Sequence, residues 1–236
     1  FPYTTLFRSA DEAMYHAKTC GRNNYQYFSD EIRRNTARVF ELEQRLRRSL
    51  HEDDFDLAYQ PIVDMRSGRL AAVEALIRWR QSDGGELMPG DFIAAAEASG
   101  LIHQIGEWVI RTALHEAARW QDGETIAINL SPVQIQSAGL LQLVVSALAE
   151  SGVAPGRVEF EITESVLLEN SQANLDVLKR LQSLGVKIAL DDFGTGHASL
   201  NYLLTFPFDK IKIDRSFVSD LATREESRAI VGAVIA

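Results

Sequence analysis

The sequence predicts an α/β fold: a TIM-like (β/α) barrel with one antiparallel strand, truncated at its C-terminal end. Three observations predict it. The runs "FDLAYQPIVD" and "RLAAVEALIRW" are strand-like and separated only by "MRSG", a link that permits an antiparallel hairpin and rules out a helical crossover. Beyond them, strand-like and helix-like runs alternate, which indicates a parallel sheet whose crossovers tend to close into a barrel. The strands also alternate in polarity. Ile126 and Ile128 oppose Asn129, Phe160 and Ile162 oppose Glu159 and Glu161, Ile188 and Leu190 oppose Asp191, and Ile211 and Ile213 oppose Lys210, Lys212 and Asp214. A half-exposed antiparallel sheet would alternate in the same way. Here crossover helices must cover one face, so the apolar parity meets the helices and the polar parity points into the barrel.

Taken in order, residues 1–9, "FPYTTLFRS", fit nothing that follows and read as a non-native, adapter-derived segment. Residues 10–28 read as a short helix, a turn at Gly21 to Asn24 and a strand, too little to bury a core alone. Residues 29–50 read as a linker helix, with Ser29 or Asp30 as N-cap and an apolar stripe at Ile32, Val39, Leu42, Leu46 and Leu50. From 51 to 236 the barrel follows. Helices are expected at 91–98, 106–120, 140–150 and 172–184, and strands in "TIAINLS", "RVEFEITES", "VKIALDDF" and "DKIKIDRSF". Thr223 and Glu226 read as a capping box that opens a last helix. That helix reaches Ala236 without a stop signal, so the barrel is expected to lack its last strands.

Composition narrows the function classes. A net charge of −9 and a pI near 5.1 argue against DNA or RNA as a bulk electrostatic partner. The basic residues of the linker helix, such as Arg33 and Arg45, are interleaved with acids. One cysteine, Cys20, excludes an internal disulfide and fits a reducing compartment. No run approaches a membrane span, so a cytoplasmic location is expected, although a parent chain could be membrane-anchored. Trp79, Trp108 and Trp120 are expected to pack in the core or at its rim.

The inward parity carries the chemistry. Glu74, Asn129, Glu161, Asp191 and Asp192 would converge from four strands at one mouth. Two like charges about 4 Å apart repel by about 4 kcal/mol at an effective dielectric near 20. Lys212 offers one positive charge against four carboxylates. Divalent metal is the economical compensation, and all-oxygen ligands select Mg²⁺ or Mn²⁺. The five histidines and one cysteine show no zinc spacing. Two metals on carboxylates suit phosphoester hydrolysis, while structural ion-pair networks also cluster acids. The residues alone leave both readings open.

In order along the chain stand "YQPIVD", "EALIRW", "NLS", "EITES", "DDFGTG" and "KIKIDRSF". Together they resemble an EAL domain, the cyclic-di-GMP phosphodiesterase module, from about Leu42 onward. Residues 10–28 follow "AD-x-AMY-x-AK-x-x-GRN" and resemble the C-terminal tail of a GGDEF (diguanylate cyclase) domain. The resemblance implies that Glu74, Asn129, Glu161 and Asp191 ligate one metal and that Asp191 and Asp192 serve a second. It implies that Lys212 orients or activates the water nucleophile and that Glu164 braces the loop from Asp192 to Ser199. Gln60, Arg78 and Asp214 would contact the dinucleotide, and the linear product would be pGpG. The loop after Asp192 would form a homodimer contact; His197 within it reads as a loop residue. The family's further catalytic glutamate and its Gln-Gly pair would fall beyond Ala236, which implies impaired folding and activity in this chain. Two alternatives stand beside this reading: a catalytically inactive regulatory module that binds cyclic-di-GMP or a protein, and a metal phosphodiesterase with another substrate. Retention of the EAL glutamate and the paired aspartates favours the enzyme.

Overall fold

The computed structural model of the protein describes residues 30–121, 123–168, 171–194 and 206–235. The segments 1–9 and 10–28 lie outside the described residues, as does 195–205 with His197 and the expected dimer contact. Helix α1 (Asp30–Ser49) takes the linker position. Its Leu46 is buried, and Leu42 and Leu50 pack beside it. Val39, expected on the packing face, is exposed together with Phe40.

The predicted hairpin forms from β1 (Phe55–Val63) and β2 (Leu70–Arg80), antiparallel from Phe55 opposite Trp79 to Val63 opposite Leu70. A two-residue strand, β3 (Glu86–Leu87), adds an unexpected antiparallel contact to the end of β2. Then α2 (Pro89–Ser99) and α3 (Ile102–Ala117) lead to β4 (Thr125–Asn129). A short α4 (Pro132–Ile135) and α5 (Leu140–Ser151) precede β5 (Val158–Thr163). The chain continues through α6 (Ser165–Leu168) and α7 (Ser171–Ser183) to β6 (Lys187–Phe193) and β7 (Lys210–Ile213). It closes with α8 (Arg215–Ser219) and α9 (Glu225–Ile235).

The sheet runs β1-β2-β4-β5-β6-β7, with β2, β4, β5, β6 and β7 parallel to one another. In a flat sheet, with neighbours about 4.8 Å apart, β2 and β7 would stand roughly 19 Å from each other. Lys212 Nζ on β7 nevertheless reaches Glu74 Oε2 on β2 at 3.2 Å. The sheet is therefore rolled, as a TIM-like (β/α) barrel requires. The apolar parity of the central strands forms the core with the covering helices: Ile126, Ile128, Phe160, Ile162, Ile188 and Leu190 pack with Ile110, Leu114, Val144 and Leu178.

One boundary differs from expectation for a definable reason. Gly106 reads as a helix start, yet it lies inside α3. A Cβ there would sit 1.9 Å from the Gln134 side-chain nitrogen, so the glycine makes room for that buried amide. Gln134 in turn closes a capping box with Ser131 on α4. The last helix, α9, begins at Glu225, and the Thr223 hydroxyl donates to the Asp220 carbonyl at 3.2 Å; the side chain of Glu226, its expected capping-box partner, lies outside what the structure describes. Trp79 is buried as expected, and its indole N–H donates to Ser49 at 2.9 Å, tying α1 to the barrel. Among the described residues no helix is long and apolar enough to cross a membrane.

Candidate active site

The inward parity of β2, β4, β5, β6 and β7 assembles one polar cluster. Lys212 Nζ donates to Glu161 at 2.6 Å, to Asp191 at 2.9 Å and to Glu74 at 3.2 Å. Asn129, at the end of β4, donates its side-chain amide to Glu74 at 2.9 Å. Glu74, Glu161 and Asp191 each offer a carboxylate oxygen, and all three oxygens lie within 4.8 Å of one another.

Electrostatics there follow from burial against pairing. Glu161 is fully buried, and burial pushes its carboxyl up to about 8, against the pull of Lys212. For Glu74, burial works upward, but the hydrogen bonds from Asn129 and Lys212 hold its carboxyl below the ordinary value. Burial disfavours the Lys212 ammonium, but its bonds to Glu161 and Asp191 hold its pKa above the usual lysine range. One ammonium thus faces three acids. Glu161 Oε1 is buried and has no hydrogen-bond partner among the described residues. An unpaired buried carboxylate oxygen costs free energy unless a proton or a cation meets it. Three converging carboxylates with that open oxygen are a ligand set that fits a hard divalent cation.

A bulge delivers the paired aspartates. The β6–β7 register shifts between Leu190 and Phe193, and Asp192 takes the left-handed conformation at φ 53°. An unbroken strand would send consecutive side chains to opposite faces; a bulge re-aims one of them. Asp192 lies outside the three-carboxylate group and keeps much of its surface exposed, and partial desolvation together with the charges of Asp191 and Asp214 pushes its carboxyl up. Two residues on, the Gly194 N–H donates to Glu164 at 2.7 Å. Glu164 is itself buried, at 4% exposure.

Gly194 has φ 101°, and a Cβ there would approach the Phe217 ring of α8 to 2.6 Å. Both the backbone and the contact demand glycine. Gly194→Ala is expected to lower stability by about 1–3 kcal/mol, and urea denaturation checks it. The shifted Phe217 would disturb β7 as well as β6.

The remaining expected site residues sit around this group. Gln60 on β1 is exposed and pairs in register with Glu74. Arg78 lies further along β2, its guanidinium 3.1 Å from Glu86 of β3 and donating to the Ile77 carbonyl at 2.9 Å. Asp214 caps α8 by accepting from the Ser216 N–H at 2.9 Å. Sequence reasoning assigned nothing to the pair Glu159 and Lys210, which meet at 2.6 Å below the cluster. Their shared parity with Glu161 and Lys212 was the available signal.

The comparisons with known proteins agree with this geometry. The EAL domain family matches residues 43–236. MucR of Pseudomonas aeruginosa, a bifunctional diguanylate cyclase/cyclic di-GMP phosphodiesterase, is 41% identical over 235 residues, covering 98% of this chain and 34% of MucR. The cyclic di-GMP phosphodiesterase PdeR of Escherichia coli is 36% identical over 236 residues, covering 99% of this chain and 36% of PdeR. Protein y4lL of Sinorhizobium fredii is 43% identical over 98% of this chain and 28% of its own length. The chain therefore spans about a third of the length of these curated relatives. Among solved structures, the PaMucR phosphodiesterase in complex with c-di-GMP superposes with a TM-score of 0.78 at 41% identity, covering 83% of this chain and 81% of that one. The FimX EAL domain of Pseudomonas aeruginosa bound to c-di-GMP gives 0.74 at 28% identity, over 84% and 79%. With its hairpin-led parallel sheet and its gathered acids, the chain belongs to the EAL domain family.

Proposed function

We propose that this domain hydrolyses cyclic-di-GMP to linear pGpG with Mg²⁺ or Mn²⁺. The observation that carries the reading is the three-carboxylate cluster with its unpaired buried Glu161 oxygen. Relatives named as cyclic di-GMP phosphodiesterases, and an EAL structure that holds c-di-GMP, support the substrate. Glu74, Glu161 and Asp191, with Asn129 beside them, would hold one cation, and Asp191 with Asp192 a second. Bound there, divalent cations lower the pKa of water and stabilise charge on a phosphodiester.

The chain's own residues do the rest. Lys212 holds a charged ammonium at the acids, where it can orient a water by hydrogen bonding and keep the ligands apart from one another. Asn129 fixes the Glu74 carboxylate through its amide. Gln60, level with Glu74 on the hairpin, Arg78 further along β2, and Asp214 at the start of α8 would contact the dinucleotide. Glu164 holds the Gly194 N–H and so the start of the loop after Asp192. That loop would also carry a homodimer contact. Residues 10–28 would be the tail of a preceding GGDEF domain. Support for this comes from MucR, which matches across 98% of the chain and is named for both activities.

Release of pGpG by the full-length protein tests the proposal. Turnover is expected with cyclic-di-GMP over other cyclic dinucleotides, lost in EDTA and restored by Mg²⁺ or Mn²⁺. Binding without cleavage under all these conditions would make the domain a receptor instead.

A further inference from the structure

One layer below the acidic cluster the barrel repeats a contact. Lys212 on β7 bonds Glu161 on β5 at 2.6 Å, and two residues earlier on each strand Lys210 bonds Glu159, also at 2.6 Å. Both pairs pass over β6. Ala189 is level with Glu161 on one side and with Lys210 on the other, so Lys210 reaches back one inward position to Glu159. Lys212 reaches back from beside Asp191 to Glu161 by the same offset. The inward residue between the lower pair is Ala189, fully buried and small enough to let the two side chains meet across it.

The lower pair matters because of what the backbone lacks above it. β6 and β7 are in register at Leu190 with Ile211 and again at Phe193 with Ile213. Between those points β6 spends two residues, Asp191 and Asp192, where β7 spends Lys212 alone. Lys212 therefore sits opposite a bulge, at the point where the ladder does not fix its depth. Glu159 is 2% exposed and Lys210 36%, so the carboxylate is buried and its partner anchors it from the more open side.

We propose that the Glu159–Lys210 ion pair is a positioning device for Lys212. It clips β7 to β5 below the bulge and sets the depth at which the Lys212 ammonium meets the acids. The pair touches no substrate. The inference rests on the reading above that Lys212 serves the hydrolysis.

The test uses the full-length protein and four variants. Replacing a buried ion pair by apolar residues of similar size is often neutral for stability, so Glu159→Met/Lys210→Met removes the clip with the fold kept. Its kcat for pGpG release is expected to fall about 10-fold or more, since a misplacement of about 1 Å can cost about 100-fold, with KM within about 2-fold and an unchanged melting temperature. Lys210→Arg, which keeps the charge and the reach, is expected to restore most of kcat. A double variant that folds and keeps the wild-type kcat overturns the proposal and leaves the pair a structural contact. Should the double variant not fold, Lys210→Gln decides: a shorter, uncharged donor is expected to lower kcat at constant KM, and an unchanged kcat overturns the proposal. Lys212→Met runs alongside. If it leaves kcat intact, the reading of Lys212 fails; if it abolishes kcat while the clip variants do not, only the clip fails.

Discussion

Lys212→Met is expected to lower turnover of cyclic-di-GMP by about 10²- to 10⁴-fold, the range for a side chain that handles a reacting proton or water. The ammonium contacts all three gathered carboxylates, so its loss also removes the one cation that separates them among the described residues. At roughly 4 kcal/mol per like pair, the metal-free protein is expected to lose stability. Divalent cation should then raise its melting temperature by more than it raises the wild type's, because the site has become more negative. The combination separates chemistry from folding: activity falls while metal affinity holds or increases. Steady-state kinetics and a thermal melt with and without Mg²⁺ check both halves. A variant that keeps wild-type turnover would remove Lys212 from the mechanism.

Glu161→Gln is also expected to lower turnover, but to act in the opposite sense on metal affinity and on metal-free stability. Changes merely behind a metal ligand cost about 10- to 100-fold in affinity, so replacing a fully buried ligand should cost at least about 100-fold, and turnover should fall with it. Metal-free stability should hold or rise. Burial pushes the folded Glu161 carboxyl up to about 8, above its value in an unfolded chain. Its contribution therefore favours folding below the unfolded value and is lost as pH rises toward about 8. Glutamine carries no such dependence. In EDTA, the stability advantage of Glu161→Gln over the wild type is expected to grow between about pH 4.5 and 8. Urea titrations across that window read it directly, and a flat difference would mean that Glu161 is ionised without penalty.

Much of this was legible in the sequence because barrel strands carry their instructions in parity. Alternation placed Glu74, Glu161, Asp191 and Lys212 on one side, and a four-residue link fixed the hairpin. What remained hidden depends on contacts between distant segments. Nothing local marks Gly106 as the socket for Gln134, since the clash involves a helix 28 residues away. The short α4, α6 and α8 bury too few residues to show a period. Adjacent acids at a strand end hinted at the β6 bulge, but only the shifted register with β7 reveals it. Arg78 illustrates the same limit: its charge is visible, while its tie to Glu86 depends on the two-residue β3.

Hydrolysis at this site requires Glu74, Glu161 and Asp191 to share a divalent cation, and Mn²⁺ titration followed by electron paramagnetic resonance measures that directly. The wild-type chain is expected to quench the free Mn²⁺ signal saturably, and Glu161→Gln to abolish the tight component. Equal Mn²⁺ binding by both, or none by the wild type, would contradict it.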